Sequence, residues 1–200
     1  MIKPAADLFG STLSPDDEAV TRLRTDLARR AHLAGLLDVA YRTLDSPVGL
    51  LLLAATPAGL VRVAYARENH DRVLGVIAER ISPRVLLAPA RLDRTSRQLD
   101  EYFAGDRRHF ELPVDLQLAS GFRRSVLEHL LELDYGSTAT YASVAATTGS
   151  PRAVRAVGTA CANNPVPIVV PCHRVVRSDG TIGQYVGGPE AKRVLLDLEG

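Results

Sequence analysis

TYASVAATTGSPRAVRAVGTACA, residues 140–162, is the stretch that decides the fold of the second half of this chain. It predicts two short helices that meet near Gly149, the second with Ser150 as its N-cap and Pro151 at its first helical position. Two helices joined by a tight glycine-containing turn form a candidate helix-turn-helix, whose second helix enters a groove of DNA. A small-residue helix face packed against a neighbouring helix is an equally good interpretation of the pattern alone.

The second predicted helix is narrow, because alanine, glycine and threonine occupy most of its positions. A glycine inside a helix, here Gly158, costs about 1 kcal/mol relative to alanine, so we expect close approach of another backbone to compensate. Arg155 is the long cation of this segment. Such a helix is suited to enter a groove.

Downstream, VVPCHRVV at residues 169–176 places Cys172 beside His173 in an apolar run. A cysteine thiol is only a few per cent ionised at neutral pH, so a nucleophilic cysteine needs a partner such as histidine. Adjacent residues on a strand point to opposite faces, so His173 can assist only if the chain bends, which Pro171 favours. Taken alone, the pair is more typical of a buried core thiol.

The preceding half predicts an α/β domain ending near Asp115. Turn signatures in DSPVG and TPAG divide residues 39–66 into three strands, which their proximity in sequence arranges as an antiparallel meander. The remaining predicted elements are helices over residues 68–81 and 91–104, a short strand over 84–88 and an extended segment over 108–116.

An amphipathic helix is predicted before this domain. Ser14 is its expected N-cap and Pro15 its first residue, and we expect its apolar face to pack on the body of the protein. The apolar positions with helical spacing are Val20, Leu23, Leu27, Ala31 and Ala34.

The amino-acid composition limits which classes of protein this chain can belong to. The chain has 200 residues, 46% of them hydrophobic, and a net charge of +1, which is a globular balance without an overall basic field. Two cysteines are too few for a disulfide framework, and the N-terminus has no signal-peptide pattern. The longest apolar run, residues 48–55, is too short to span a bilayer. We therefore expect a cytoplasmic protein with two free thiols and no structural zinc site.

Three segments carry a resemblance to a known family: RAVGTA at 155–160, NNPVPIVVPCHRVV at 163–176 and GGPEAKRVLLDLEG at 187–200. Together they resemble the O6-alkylguanine-DNA alkyltransferases, or methylated-DNA–protein-cysteine methyltransferases, strongly over residues 122–200 and more loosely over 40–115. The resemblance implies an α/β domain with a small antiparallel, ribonuclease H-like sheet over 39–116, and a mostly α, winged helix-turn-helix domain over 117–200. The first forty or so residues have no counterpart in the family, and we expect a helical extension over 1–38.

The resemblance also implies a catalytic set. Cys172 would accept the alkyl group, and His173 would deprotonate it through a bound water. Glu199, which alone would be read as a solvated chain end, would orient His173. Asn164 would bind groups around the active-site turn, and Tyr141 would press on the flipped nucleotide's phosphate and meet its O6 edge.

The implied DNA contacts come from the helix-turn-helix and the segment after it. Arg155 would fill the stack vacated by the damaged base, with Gly158 and Thr159 on the same DNA-facing helix. The implied base pocket is lined by the Tyr185 side chain and by the backbone at Val175 and Val186.

The implied activity is repair of DNA by irreversible transfer of the O6-alkyl group of guanine to cysteine, once per protein molecule. The implied partner is double-stranded DNA containing O6-alkylguanine, with O4-alkylthymine as a further candidate lesion, bound through the minor groove after base flipping. A monomer without cofactor, metal or membrane attachment is expected.

Three alternatives stay open at this point. A non-catalytic lesion-binding relative would lack the acceptor that Cys172 supplies. A helix-turn-helix regulator with a sensor cysteine would more often be a dimer on a palindromic site. A cysteine hydrolase would need an oxyanion hole and would complete many catalytic turnovers per molecule.

The chain departs from the family pattern at Gln184, Val186 and Pro189. By the resemblance these residues would lie on the rim of the pocket, where they bear on the size of alkyl group accepted.

Overall fold

A computed structural model describes residues 15–200, apart from the side chains of 15–18, 21 and 32. The expected N-cap, Ser14, lies outside the described residues. The predicted first helix is present as α1, Pro15–Leu33. No helix in the described range is long and apolar enough to cross a membrane.

The packing predicted for α1 is wrong for most of its apolar face. Leu23 and Leu27 are 71% and 55% exposed, and Val20 is 44% exposed. Among the described side chains of α1, Ala28 is buried and Ala31 packs partly buried against the core. Helical spacing predicts that an apolar face exists, but it does not predict whether another element covers that face.

The N-terminal α/β domain contains the predicted meander. Its strands are β1 (Val39–Leu44), β2 (Leu51–Thr56) and β3 (Gly59–Tyr65), paired antiparallel as predicted. The expectation of an antiparallel sheet is wrong at its fourth strand, β4 (Val85–Leu87), which pairs parallel to β1 and makes the sheet mixed, in the order β3-β2-β1-β4. The crossover from β3 through a helix returns the chain in the direction of β1, which explains the parallel pairing.

Two helices complete this domain, α2 (His70–Arg80) and α3 (Asp93–Phe103). Short 3-10 turns precede them at Ala66–Glu68 and Pro89–Leu92. The predicted extended segment over 108–116 contributes one bridge, between Leu60 and Val114.

Both faces of the sheet are buried, one against α2 and the other against the C-terminal domain. Alternation along β2 sends Leu52 and Ala54 towards α2, whereas Leu51 and Leu53 join a core that continues into the C-terminal helices. The two domains therefore share one hydrophobic core.

The C-terminal domain is mostly helical, as predicted. Its helices are α4 (Gly121–Leu130), α5 (Tyr141–Thr147), α6 (Val154–Ala162) and α7 (Pro189–Glu199). Two short strands, β5 (Ala139–Thr140) and β6 (Val175–Val176), pair parallel to each other. A hairpin follows β6, closed by an antiparallel bridge between Val176 and Ile182, and it forms the expected wing beside the helix-turn-helix.

The predicted start of α6 is wrong. The backbone N–H of Ser150 donates to the Ala145 carbonyl at 2.9 Å and so still closes the preceding helix. A turn between Ser150 and Ala153 follows, and α6 begins at Val154 with Ala153 as its N-cap. Ser150 and Pro151 thus belong to the turn between the helices, because the chain must reverse before α6 can begin.

Candidate active site

Cys172 begins a 3-10 turn rather than continuing a strand. The turn spans Cys172–Arg174, directly after Pro171, and the Arg174 N–H closes it by donating to the Pro171 carbonyl at 3.0 Å. This is the bend that the sequence required. Cys172 is 1% exposed and His173 is fully buried.

Asn164 holds the thiol and the chain around it. Its Nδ2 donates to the Cys172 Sγ at 3.1 Å and to the Val170 carbonyl at 2.9 Å. Its Oδ1 accepts from the Val166 N–H at 2.9 Å, which fixes the orientation of the amide. Between these anchors Ile168 has φ +75°, a region that β-branched residues rarely adopt. The backbone conformation of Ile168 costs about 1–3 kcal/mol. The hydrogen bonds of Asn164 hold this strained turn in place beside the thiol.

Lys192 is a buried cation near the thiol that the sequence analysis missed. Its side chain is fully buried, and Nζ donates to the Val175 carbonyl at 2.6 Å. Burial lowers its pKa, and nearby thiolate charge at Cys172 opposes that shift. A signal existed in the sequence, because Lys192 shares a helical face with Leu195 and Glu199 at spacings of three and seven residues.

The thiol is held neutral by its surroundings. Burial raises the pKa of Cys172 to about 11, against the opposing effects of the Asn164 hydrogen bond and the Lys192 charge. A thiol in this state needs a base before it can act as a nucleophile.

Glu199 orients the histidine that could be that base. The His173 Nε2 donates to the Glu199 Oε1 at 2.9 Å, so Nδ1 carries the lone pair of the neutral ring. Burial lowers the pKa of His173, and hydrogen bonding to Glu199 opposes that shift. The Nδ1 atom is buried and has no hydrogen-bond partner among the described residues. The site therefore holds a neutral imidazole with a free acceptor nitrogen next to the thiol-bearing residue.

Two further side chains that the sequence analysis missed hold Glu199 in place. Arg174 donates to both carboxylate oxygens, Nε to Oε2 at 2.7 Å and Nη2 to Oε1 at 2.9 Å. The Tyr102 hydroxyl, from α3 of the N-terminal domain, donates to Oε1 at 2.7 Å. Hydrogen bonds from His173, Arg174 and Tyr102 hold the pKa of Glu199 well below its usual range, although burial opposes them. The Gly136 N–H also donates to Oε2, at 3.3 Å. Tyr102 could not be found from sequence, since 97 positions separate it from Glu199.

The predicted pocket residues surround this buried set. Tyr185 is 8% exposed, and its ring meets the His173 ring edge-on at a centroid distance of 6.3 Å. The Val175 N–H bonds to the Cys172 carbonyl, and its own carbonyl accepts from Lys192. Val186 is half-buried and lines a groove of about 350 Å³ between the domains. This groove reaches Asn164, but its lining does not include Cys172 or Tyr185.

Tyr141 lies at the edge of the site. It is the first residue of α5 and half-buried, and burial raises the pKa of its phenol to about 12. A side chain at Gly183 would place its Cβ 2.3 Å from the Tyr141 hydroxyl, so glycine there permits the position of Tyr141.

The outer surface of α6 carries the residues predicted to contact DNA. Arg155 and Thr159 are exposed, and Gly158 is half-buried. Within residues 15–200 the Arg155 guanidinium forms no ion pair. The expectation that another backbone approaches Gly158 is wrong for residues 15–200, among which an added Cβ would meet only the Tyr141 ring, at 4.0 Å. The described residues leave this side of α6 exposed.

Comparison with known proteins covers both domains. Residues 39–116 match the family model described as "6-O-methylguanine DNA methyltransferase, ribonuclease-like domain", and residues 121–200 match that of the DNA binding domain of the same name. A methylated-DNA–protein-cysteine methyltransferase of Mycolicibacterium paratuberculosis is 38% identical over 161 residues, 80% of this chain and 92% of that protein. The constitutive enzyme of Bacillus subtilis is 36% identical over 80% of this chain and 94% of its own length.

Solved structures agree with the sequence matches. The crystal structure of Mycobacterium tuberculosis OGT in complex with DNA has a TM-score of 0.71 and 36% identity, covering 80% of this chain and 92% of that one. The O6-methylguanine-DNA methyltransferase of Pyrococcus kodakaraensis has a TM-score of 0.57 and 27% identity, covering 81% of this chain and 99% of its own.

Proposed function

Because the chain belongs to the 6-O-methylguanine DNA methyltransferase family, we propose that it is a DNA repair protein that transfers the O6-alkyl group of guanine to Cys172. The observation that carries the assignment to Cys172 is the buried set in which Asn164 contacts the thiol and Glu199 orients His173. The enzyme is a methylated-DNA–protein-cysteine methyltransferase, and its partner is double-stranded DNA that carries the lesion.

In the proposed reaction, His173 acts as a general base. Its Nδ1 takes the thiol proton through a water molecule, as buried polar atoms without protein partners are commonly satisfied by water. The thiolate attacks the alkyl carbon, so that the S–C bond forms while the C–O6 bond breaks. The Tyr141 hydroxyl at the pocket edge is proposed to donate to O6 and to pass its proton to the leaving guanine. Water then returns a proton to the Tyr141 oxygen, and His173 releases the former thiol proton to water, so both groups end neutral. The thioether product is stable, so each molecule reacts once.

DNA reaches the thiol by extrusion of the damaged base, which costs a few kcal/mol in stacking and pairing. We propose that Arg155 enters the vacated stack from the minor groove while Gly158 and Thr159 lie against the DNA backbone. The exposed surface of α6 supports this arrangement. In the same proposal Tyr185 lines the guanine pocket. The Val175 carbonyl, through the lone pair that Lys192 leaves unused, and the backbone at Val186 contact the base edges.

The division of the chain is likewise a proposal: an extension over 1–38, the ribonuclease-like domain over 39–116 and the DNA-binding domain over 117–200. The matched ranges 39–116 and 121–200 support it. We also propose a cytoplasmic monomer, since a reducing compartment keeps Cys161 and Cys172 as free thiols.

Incubation with a duplex containing O6-methylguanine should add one methylene's mass to the peptide that carries Cys172. Uptake should stop at one methyl group per protein molecule. Intact-mass and peptide mass spectrometry measure both. Cys172→Ala should abolish uptake, whereas Cys161→Ala, at the other buried thiol, should leave it unchanged. Absence of transfer, or many turnovers per molecule, would contradict the proposal; the second result would favour a hydrolase.

Arg155→Ala should slow repair of duplex DNA by about 10- to 100-fold. Without the Arg155 side chain in the vacated stack, less of the free energy lost on base extrusion is recovered. Reaction with free O6-methylguanine should stay within about twofold, since no base is extruded. Rates of Cys172 alkylation on the two substrates measure the difference. Arg152→Ala, at an exposed arginine in the turn before α6, is the matched control. Equal losses on both substrates would exclude the role given to Arg155.

A further inference from the structure

Tyr65, in the N-terminal domain, touches the candidate base pocket. It is the last residue of β3 and 2% exposed. Its hydroxyl lies 2.9 Å from the Tyr185 hydroxyl, and the two rings meet edge-on at a centroid distance of 5.8 Å. The pocket side chain Tyr185 is therefore braced from the neighbouring domain.

The same ring also lies against the loop that carries Tyr185. A Cβ added at Gly187 would be 2.6 Å from the Tyr65 Cζ and within 2.9 Å of two further ring atoms. Tyr65 thus contacts this loop at two positions, the Tyr185 side chain and the Gly187 backbone. The loop cannot move towards β3 while the ring is present.

The backbone of Tyr65 is itself fixed. The Val63 N–H, two residues earlier on β3, donates to the Pro165 carbonyl at 2.9 Å, directly after the thiol-clamping Asn164. The Tyr65 N–H donates to the Glu68 Oε1 at 2.9 Å. Strand β3 is therefore anchored to the active-site segment on one side of Tyr65 and to its own turn on the other.

The pKa of the Tyr65 phenol is consistent with its position near Cys172. Burial raises the pKa of the Tyr65 phenol far above its usual value, and negative charge at Cys172 raises it further. Tyr65 and Tyr185 therefore remain neutral, and their contact is a hydrogen bond between two hydroxyls rather than an ionic one.

We propose that Tyr65 is a positioning residue that restricts the alkyl pocket to small groups by preventing Tyr185 and its loop from moving back. The proposal rests on the proposed function, and it adds a determinant outside the C-terminal domain. A shorter side chain at position 65 leaves space into which Tyr185 can move. The pocket then enlarges and admits bulkier O6-substituents such as benzyl.

The test compares Tyr65→Leu with the wild-type protein on two duplexes that differ in one base, O6-methylguanine or O6-benzylguanine. The benzyl-to-methyl rate ratio should rise about tenfold, since pocket changes of this size are worth about 10- to 200-fold in discrimination. A merely structural role would slow both substrates together and leave the ratio unchanged, which would overturn the proposal. Tyr41→Leu, at a half-buried tyrosine on β1, controls for loss of sheet packing and should not change the ratio.

Variants that keep the rings test the proposal if Tyr65→Leu does not fold. Tyr65→Phe and Tyr185→Phe remove the hydroxyls alone, and each should raise the ratio by about threefold. Because both act through one bond, the double variant should match either single variant, and independent multiplicative effects would overturn the proposal. If the wild-type protein alkylates Cys172 from neither duplex, the proposed function fails. If it does so and no variant shifts the ratio, only the role of Tyr65 fails.

Discussion

Glu199→Ala should abolish alkyl transfer and lower the free energy of unfolding by about 3–5 kcal/mol, the usual effect of leaving a buried charge without its partner. The buried Arg174 guanidinium loses both carboxylate contacts, and His173 and Tyr102 lose their shared acceptor. Urea denaturation and methyl uptake from an O6-methylguanine duplex measure the two effects. Asp197→Ala, at an exposed carboxylate of the same helix, should change stability by less than about 0.5 kcal/mol.

A double variant separates the two effects of Glu199. Arg174→Met combined with Glu199→Leu removes both charges, so much of the stability should return. Transfer should remain lost, because His173 still has no acceptor to fix its orientation. Recovery of transfer in the double variant, or normal transfer by Glu199→Ala, would exclude Glu199 as the residue that orients His173.

Lys192→Met should slow alkyl transfer at neutral pH by about tenfold for each unit by which the thiol pKa rises. Methionine keeps the apolar length of the side chain but removes the cation that opposes the effect of burial on Cys172. The pKa of the thiol should move above its wild-type value of about 11, so the thiolate fraction falls at every lower pH. The rate of Cys172 alkylation, measured against pH, gives the shift.

The shape of the pH–rate profile tests whether Lys192→Met raises the pKa of the thiol, as expected. Below both thiol pKa values, the two rate profiles should run parallel, with the variant slower throughout. They should approach each other above the wild-type thiol pKa and meet only where both thiols are ionised. Arg193→Met, at an exposed neighbour on α7, should follow the wild-type profile. A superimposable Lys192→Met profile would show that the lysine charge does not act on the thiol.

Features set by neighbouring residues were predictable from sequence. The turn residues in DSPVG and TPAG divide the meander into its three strands. Glycine at position 149 separates the two helices of the DNA-binding unit. Pro171 gives the bend that starts at Cys172. In each case the local backbone preference and the final fold agree.

Features set by contacts between distant segments were not predictable. Tyr65 and Tyr102 reach the site through the shared core, and no local pattern marks them. Arg174 reads as an interruption of an apolar run until Glu199 is seen to satisfy it. The apolar stripe of α1 has the expected spacing, yet it is exposed because coverage depends on how the helix meets the sheet.

The burial of Cys172 has a consequence for how the thiol survives until it is needed. Oxidation by peroxide follows thiolate character and exposure, and this sulfur has little of either while the protein waits. Cys172 therefore reacts slowly with diffusing oxidants and electrophiles. An alkylated guanine inserted into the pocket, by contrast, meets a sulfur that Asn164 already holds and that His173 can already deprotonate. Because each molecule reacts once, a Cys172 that is slow to react with oxidants remains available for the alkylated base.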